Sequence, residues 1–144
     1  METHQLDLPT RLSAVGAARH WVNHHCGHVL GVDGRQVLEL LTSEVVANAV
    51  LHGREPLRLD VRCAPGEVVV AVLDGSGAPP VETHVDAEAT GGRGVALVAA
   101  LSHAWGWEPV PSGKRVWFRV VDGHPVDAHP VDAHLVDGAW GAPR

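Results

Sequence analysis

Two consecutive strand patterns between Leu57 and Asp74 constrain the fold of this 144-residue chain more than any other feature. From Leu57 to Cys63, apolar residues alternate with Arg and Asp, which predicts a strand with one solvated face. After an Ala-Pro-Gly turn, Val68 to Leu73 is apolar on both faces and predicts a central strand. The two patterns together predict an antiparallel hairpin that leaves Asp74 at the end of a buried element.

Two helices are predicted ahead of this hairpin. Apolar residues recur at helical spacing from Pro9 to about Val29, and again between Asp33, which is suited to cap a helix, and Gly53, which is suited to end one. The apolar stripe of the second helix consists of Leu38, Leu41, Val45 and Ala49. We expect this stripe to pack against the sheet.

The remaining periodic segments complete an α+β pattern. A short strand is predicted near His4 to Leu8, a third helix from Val95 to Leu101 after a glycine-rich loop, and a last strand from Arg115 to Val120. Helices and strands are segregated along the chain, and short turns join the later strands. The sequence therefore predicts a two-layer α/β sandwich, with helices on one face of a mostly antiparallel mixed sheet. A chain of this length buries one core, so one domain is expected over residues 1–121.

Residues 122–144 differ in character from the rest of the chain. VDGHP, VDAHP and VDAHL follow one another at five-residue spacing without the periodicity of a helix or strand. The histidines of this repeat, His124, His129 and His134, are possible ligands of a transition metal, but a spacing of five places them on no common helix face. The expectation for this segment is a solvated, flexible C-terminal tail.

Composition argues against several classes of function. The net charge of -6 and the absence of a Lys/Arg-rich run disfavour nucleic-acid binding. Cys26 and Cys63 stand outside any CxxC or Cys/His spacing, so neither a disulfide framework nor a structural zinc site is supported. The N-terminal segment does not resemble a signal peptide, and no apolar run is long enough to span a bilayer. We therefore expect a soluble cytoplasmic protein.

A row of polar residues runs along the second helix. Glu44, Asn48 and His52 fall four residues apart, so they share one side of the helix beside its apolar stripe. A carboxylate and an amide at the edge of a core are costly without partners, and a hydrated divalent cation with its anionic ligand is one partner that satisfies both. The alternative is a helix whose polar side merely faces water. Spacing alone does not decide between the two.

Two further segments favour a nucleotide ligand. In VLDGSG, residues 72–77, Asp74 is placed to accept the exocyclic amine of adenine, and the glycines after it let a ligand approach the backbone. GGRG, residues 91–94, opens the third helix, so backbone N–H groups and the positive end of the helix dipole can face phosphates. Neither a P-loop nor a dinucleotide-binding fingerprint is present.

Taken in order, ELLTSEVVANAVLHG, VLDGSG, GGRGVALVAALSHAWGW and GKRVWFRV resemble the N, G1 and G2 boxes of the GHKL superfamily of gyrase, heat-shock chaperone, histidine kinase and mismatch-repair ATPases. The resemblance covers about Leu12 to Val121 and is greatest to the bacterial anti-sigma factors that are also serine-protein kinases. It implies the Bergerat ATP-binding fold, with ATP and Mg²⁺ as ligands. The chain departs from the usual pattern where Ser76 and Ala78 replace G1 glycines and Ala96 replaces a G2 glycine.

The resemblance implies a role for each matching residue. Glu44 would be the general base and Asn48 the Mg²⁺ ligand, with His52 and Gly53 near the nucleotide. Asp74 would read the adenine base. The other nucleotide-binding positions that the resemblance implies are Ser76, Gly77, Gly91, Gly92, Arg93, Gly94 and Val95.

The same resemblance implies a regulatory function. The protein would transfer the γ-phosphoryl group of ATP to a Ser or Thr hydroxyl of a small anti-anti-sigma protein of the STAS type. That partner, when unphosphorylated, would compete with a sigma factor for this protein, which is expected to be a homodimer. The alternative is a non-catalytic regulatory module on the same fold, with weak or no nucleotide binding, which the altered glycines and the short loop between the boxes favour. An ATP hydrolase of a larger machine is a third, weaker possibility.

Overall fold

The computed structural model describes residues 1–80, 98 and 101–123 of the chain. The first half contains β1 (Glu2–Leu8), α1 (Ser13–Cys26), a 3₁₀ turn (Gly27–Val29) and α2 (Val32–His52). The described residues after α2 contain four strands, which are β2 (Leu57–Ala64), β3 (Glu67–Asp74), β4 (Ala104–Val110) and β5 (Gly113–Val121).

The strands form one sheet with the order β1-β2-β3-β5-β4, in which every neighbouring pair is antiparallel. β3 lies at the centre, as its apolar character on both faces predicts, and it pairs with β2 on one side and β5 on the other. The predicted α+β sandwich and the Leu57–Asp74 hairpin are therefore confirmed. The register places Asp74 directly opposite Lys114, a pairing that becomes important at the functional site.

The core lies between the helices and one face of the sheet. The predicted stripe of α2 is buried there, and alternate residues of the strands, including Val70 and Phe118, meet it from the sheet. Burying these side chains removes apolar surface from water, which is the main force that holds the two layers together.

Cys26 and Cys63 are free thiols in this core, and burial raises the pKa of both, so neither is a reactive nucleophile. Among the described residues, no helix has the length and apolar character needed to cross a membrane.

The opposite face of the sheet is covered largely by its own side chains. Trp117 lies across Gly106, where an added Cβ would be 2.9 Å from the indole ring, and it packs with Ala71. Ion pairs complete this face, including Arg58 with Asp60 at 3.0 Å. Burial raises the pKa of the Asp60 carboxyl, while the charge of Arg58 opposes this effect. Among the described residues, no helix packs on this face, and its own side chains and ion pairs provide its cover.

Three expectations for the helices need correction. α1 begins at Ser13 rather than Pro9, and its last predicted turn is a separate 3₁₀ turn. Asp33 does not cap α2, because the helix already begins at Val32 and its N-cap is Gly31. A different carboxylate serves this helix end. Asp122, directly after β5, accepts a hydrogen bond from the N–H of the N-cap residue Gly31 at 3.0 Å. The partner for this helix end comes from a distant strand, which no local pattern reveals.

Two predictions fall wholly or partly outside the described residues. The third helix is represented by Val98 and Leu101, which are both helical. The repeat-containing tail lies beyond Gly123, so its predicted character and its histidines are not described.

The strand β4 was not predicted, because its sequence AWGWEPV contains Gly and Pro and lacks a clear alternation. Pairing of all its residues with β5, from Ala104 opposite Arg119 to Val110 opposite Gly113, defines this strand.

A cluster of imidazole rings between β1 and α1 predicts a pH-dependent stability. The ring of His25 lies 4.3 Å from that of His4, 5.0 Å from that of His24 and 4.9 Å from that of Trp21, measured between centroids. Burial lowers the pKa of His25 from its usual 6.5, the positive charges of His4 and His24 lower it further, and Glu2 opposes them. The folded state therefore binds this proton less readily than the unfolded chain does.

We expect the free energy of unfolding to decrease as the pH falls below about 6.5, since protonation of His25 then favours the unfolded chain. Urea unfolding at pH 7.5 and pH 5.5 measures the difference, and His25→Gln should reduce it. His20→Gln is the matched control, because His20 is exposed on the same helix. An identical pH dependence in wild type and His25→Gln would contradict this assignment.

Candidate functional site

Asp74 lies at the end of β3 with its side chain turned toward the helix layer and only 1% exposed. Its Oδ1 accepts the Ser76 N–H at 2.7 Å. Lys114 Nζ lies 3.0 Å from Oδ2 and 3.2 Å from Oδ1. The antiparallel register of β3 and β5 sets Lys114 opposite Asp74, which explains how residues forty positions apart meet. Asp74 is therefore a buried carboxylate held by an ion pair and a backbone donor.

The polar row of α2 reaches the same place. Asn48 and His52 line a small cavity together with Asp74 and Lys114, and its apolar walls are Val45, Ala49, Val72, Pro80 and Val116. Glu44 is half-buried one turn before Asn48 and is not among the described lining residues. The structure thus brings three predicted site residues, Asn48, His52 and Asp74, to one cavity and places Glu44 on the helix just beside it.

Two glycines allow the backbone to close around Asp74. Gly53 follows α2, and an added Cβ there would lie 2.7 Å from Asp74 Cγ and 2.8 Å from Oδ2. Gly113 has a φ of +149°, and an added Cβ would collide with the Asp74 carbonyl oxygen. Larger side chains at either position would push the strand end away from its neighbours. Gly53, predicted near a nucleotide, therefore has an immediate structural role against the carboxylate.

The loop after β3 is shaped by short polar contacts. Besides the Asp74–Ser76 hydrogen bond, Ser76 Oγ accepts the Ala78 N–H at 3.1 Å. Gly77 is exposed, with open space where a Cβ would be. The hydroxyl of Ser76 thus stabilises a turn at a position where a glycine would supply only flexibility.

The segment that carries this geometry matches a known domain. A family model described as histidine kinase-like ATPase domain covers residues 8–120, which include both helices, the hairpin and the last strand. The chain belongs to this family. No curated protein matches the chain. Family membership assigns it an ATP-binding domain, in agreement with the buried carboxylate and the polar helix edge that meet at the cavity.

The positions predicted to bind phosphate lie outside the described residues of this histidine kinase-like ATPase domain. They are Gly91, Gly92, Arg93, Gly94 and Val95. Their roles remain predictions.

The donor set of the ATPase domain suits Mg²⁺. Glu44 and Asn48 offer a carboxylate and an amide oxygen one helical turn apart, and oxygen atoms are the ligands that this ion prefers. Mg²⁺ usually takes one or two protein ligands together with waters and substrate phosphates. Among the described residues no cluster of three or more His, Cys, Asp or Glu side chains can hold a metal. A cation here would therefore need phosphate and water oxygens as well.

The cavity at Asp74 suits adenine in chemistry but not in volume. Asp74 offers a buried acceptor between apolar walls, which suits a flat base that carries an amine. The cavity, however, has a volume of about 10 Å³, which is enough for one water, whereas ligand pockets of this kind typically span about 300–1,000 Å³. Lys114 contributes to this closure because its ammonium group lies against the carboxylate.

Sequence reasoning missed Lys114, because the predicted last strand begins one residue later, at Arg115. One signal was available, since Lys114 is in phase with Val116, Phe118 and Val120, the core-facing residues of the last strand. A lone lysine on the apolar side of a strand needs a partner. Only the register of β3 and β5 identifies that partner as Asp74.

Proposed function

We propose that this protein is an ATP- and Mg²⁺-dependent serine/threonine-protein kinase of the anti-sigma type. Its substrate is a hydroxyl of a STAS-type anti-anti-sigma protein, and its unphosphorylated partner competes with a sigma factor for binding. The observation that carries the ATP-binding part is the meeting of Asn48, His52 and Asp74 at one cavity inside the segment that matches the ATPase family. The resemblance of the N and G boxes supports the choice of partners.

The polar side of α2 supplies the chemistry in this proposal. Glu44 is half-buried and accepts the proton of the attacking hydroxyl, while Asn48 holds the metal through its amide oxygen. Mg²⁺, when bound, neutralises charge on the phosphates. Phosphoryl transfer depends mainly on positioning and charge neutralisation, so a rigid helix with a base and a metal ligand one turn apart is a suitable scaffold.

Charge explains how one reaction switches two complexes. A phosphorylated Ser or Thr carries nearly two negative charges and needs strong hydrogen-bond donors. This protein carries a net charge of -6, so a newly phosphorylated partner is repelled unless cations face it. Release of the phosphorylated partner frees this protein to bind the sigma factor. We propose a homodimer as the active form, on the resemblance alone.

Two observations favour a second candidate function. The Lys114–Asp74 ion pair and the very small cavity are what a non-catalytic module that no longer binds nucleotide would display. Such a module would sequester a regulator through its surface alone. Nucleotide binding distinguishes the two candidates.

A thermal shift with ATP and Mg²⁺ tests the proposal. A ligand that binds only the folded state raises its stability, by about 2.7 kcal/mol at one hundred times the dissociation constant. We expect the melting temperature of the wild type to rise with ATP, and to rise further when Mg²⁺ is present. Asn48→Ala should remove the additional effect of Mg²⁺, because the variant lacks the amide oxygen.

Gln36→Ala is the matched control for this experiment, since Gln36 is an exposed amide on the same helix. It should respond to ATP and Mg²⁺ as the wild type does. A wild-type protein whose melting temperature is unchanged at millimolar ATP would favour the non-catalytic module instead.

A further inference from the structure

Lys114 is the one lysine of the sequence, and its side chain is buried. It is the second residue of β5 and is only 5% exposed. Lysine is rarely buried, because its ammonium group loses hydration and keeps a long flexible stem fixed. Its position therefore depends on the partner that it meets.

That partner is the carboxylate expected to read the base. Lys114 Nζ contacts both oxygens of Asp74, at 3.0 Å and 3.2 Å, and the Ser76 N–H takes a further position on Oδ1. An adenine amine needs an acceptor at this carboxylate. The Lys114 ammonium group therefore already donates to the Asp74 oxygens that an adenine amine would need as acceptors.

The same side chain limits the space. Lys114 lines the cavity together with Asp74, Asn48 and Ala49, and the remaining volume of about 10 Å³ admits one water at most. A purine ring cannot enter while these side chains keep their positions. The occupied carboxylate and the missing space both point to Lys114 as the group that must move.

We infer that Lys114 is an internal competitor for the nucleobase site, which withdraws from Asp74 when a base binds and thereby sets the affinity and the selectivity for the nucleotide. The inference deepens the proposed ATP-binding function and rests on it. Since only molecules with the ammonium group withdrawn can bind, the apparent affinity is reduced by the fraction that is open.

A route for this withdrawal exists at the end of the strand. Lys114 follows the turn at Pro111 and Ser112, which are both exposed. A four-carbon stem that starts beside a solvated turn can carry its ammonium group into water by rotating its own torsions. The strand itself need not move.

The exchange also favours adenine over guanine. Once Lys114 leaves, the buried Asp74 carboxylate needs a replacement donor. Adenine offers its exocyclic amine at the position where guanine carries a carbonyl oxygen, which would face the carboxylate with an acceptor. Selectivity therefore arises because the departing ammonium group must be replaced by a donor.

Calorimetric titration of ATP-Mg²⁺ into wild type and Lys114→Ala tests the inference. We expect the variant to bind about tenfold or more tightly, because its site is open and its acceptor is free. Arg115→Ala is the matched control: it removes one positive charge at the next position, where the side chain pairs with Glu108 on the opposite face of the sheet. It should bind as the wild type does.

Amine acetylation of the wild type provides a second measurement that does not depend on the variant's folding. Because Lys114 is the sole lysine, its acetylation is read from one peptide by mass spectrometry. We expect slow labelling of the free protein and about tenfold faster labelling with saturating ATP-Mg²⁺, since the ammonium group then reaches solvent.

The outcomes separate the inference from the proposed function. ATP binding to the wild type with unchanged Lys114 labelling, or with equal affinity in a folded Lys114→Ala variant, would overturn the inference and leave ATP binding intact. Absence of ATP binding to both proteins would overturn the proposed ATP-binding function itself. Binding to Lys114→Ala alone would overturn both the inference and the proposed function, because Lys114 would then block the site in the wild type rather than withdraw from it.

Discussion

Replacement of Glu44 by Gln is expected to lower the rate of phosphoryl transfer to the protein substrate by about 10²- to 10⁴-fold, the usual contribution of a general base. The amide keeps the size of the side chain but cannot take a proton from the attacking hydroxyl. Nucleotide affinity should change little, because Glu44 lies beside the cavity and is not among its described lining residues. Radiolabelled ATP and a purified STAS-type protein, the partner proposed above, measure the transfer rate.

Glu39→Gln is the matched control for this experiment. Glu39 is also a half-buried carboxylate of α2, five residues earlier and therefore on a different side of the helix. The control should transfer phosphate at the wild-type rate. If Glu44→Gln also retained the full rate, Glu44 would not be the base.

Replacement of Asp74 by Asn is expected to destabilise the fold by about 3–5 kcal/mol, the usual effect of removing one member of a buried ion pair. Asp74 and Lys114 are 1% and 5% exposed, so in the variant the ammonium group either stays in the core without a counter-charge or withdraws into water and leaves its buried space unfilled. The same substitution should abolish the preference for ATP over GTP, because an amide can donate to a carbonyl as well as accept from an amine. Urea unfolding and calorimetry measure the two effects.

Two further variants identify the cause of the lost stability. Asp74→Asn combined with Lys114→Met removes the unpaired charge and should recover much of the loss. Asp60→Asn breaks a second carboxylate contact, that of Asp60 with Arg58, but Arg58 is 42% exposed and already reaches water in the folded protein, so the loss should be smaller. Equal destabilisation by the Asp74 and Asp60 substitutions would argue against a special cost at the site.

The elements with strong local periodicity were predictable. The Leu57–Asp74 hairpin and the buried stripe of α2 follow from spacings of two residues and of three to four residues, which each segment carries within itself. Elements that depend on distant partners were not predictable. Asp122 reaches Gly31 across 91 positions, and β4 is defined by its pairing with β5 rather than by its composition.

The residues of the candidate site also differ in whether local sequence patterns predict their positions. The positions of Asn48 and His52 on one side of α2, and of Asp74 at a strand end, follow from the pattern, and the structure brings these three residues to one cavity. The closure of that cavity does not follow from the pattern. Lys114 contributes to it, and this residue lies just before the predicted last strand.

By itself, the sequence determined the fold class, the central hairpin and the polar edge of the second helix, because these depend on periodicity over a few residues. Only the tertiary structure decided that Asp74, the carboxylate predicted to read the base, is already paired with a buried ammonium group. The physical reason is the register of β3 and β5, which sets Asp74 opposite Lys114 across forty positions of the chain. Burial then makes that contact strong enough to compete with a ligand.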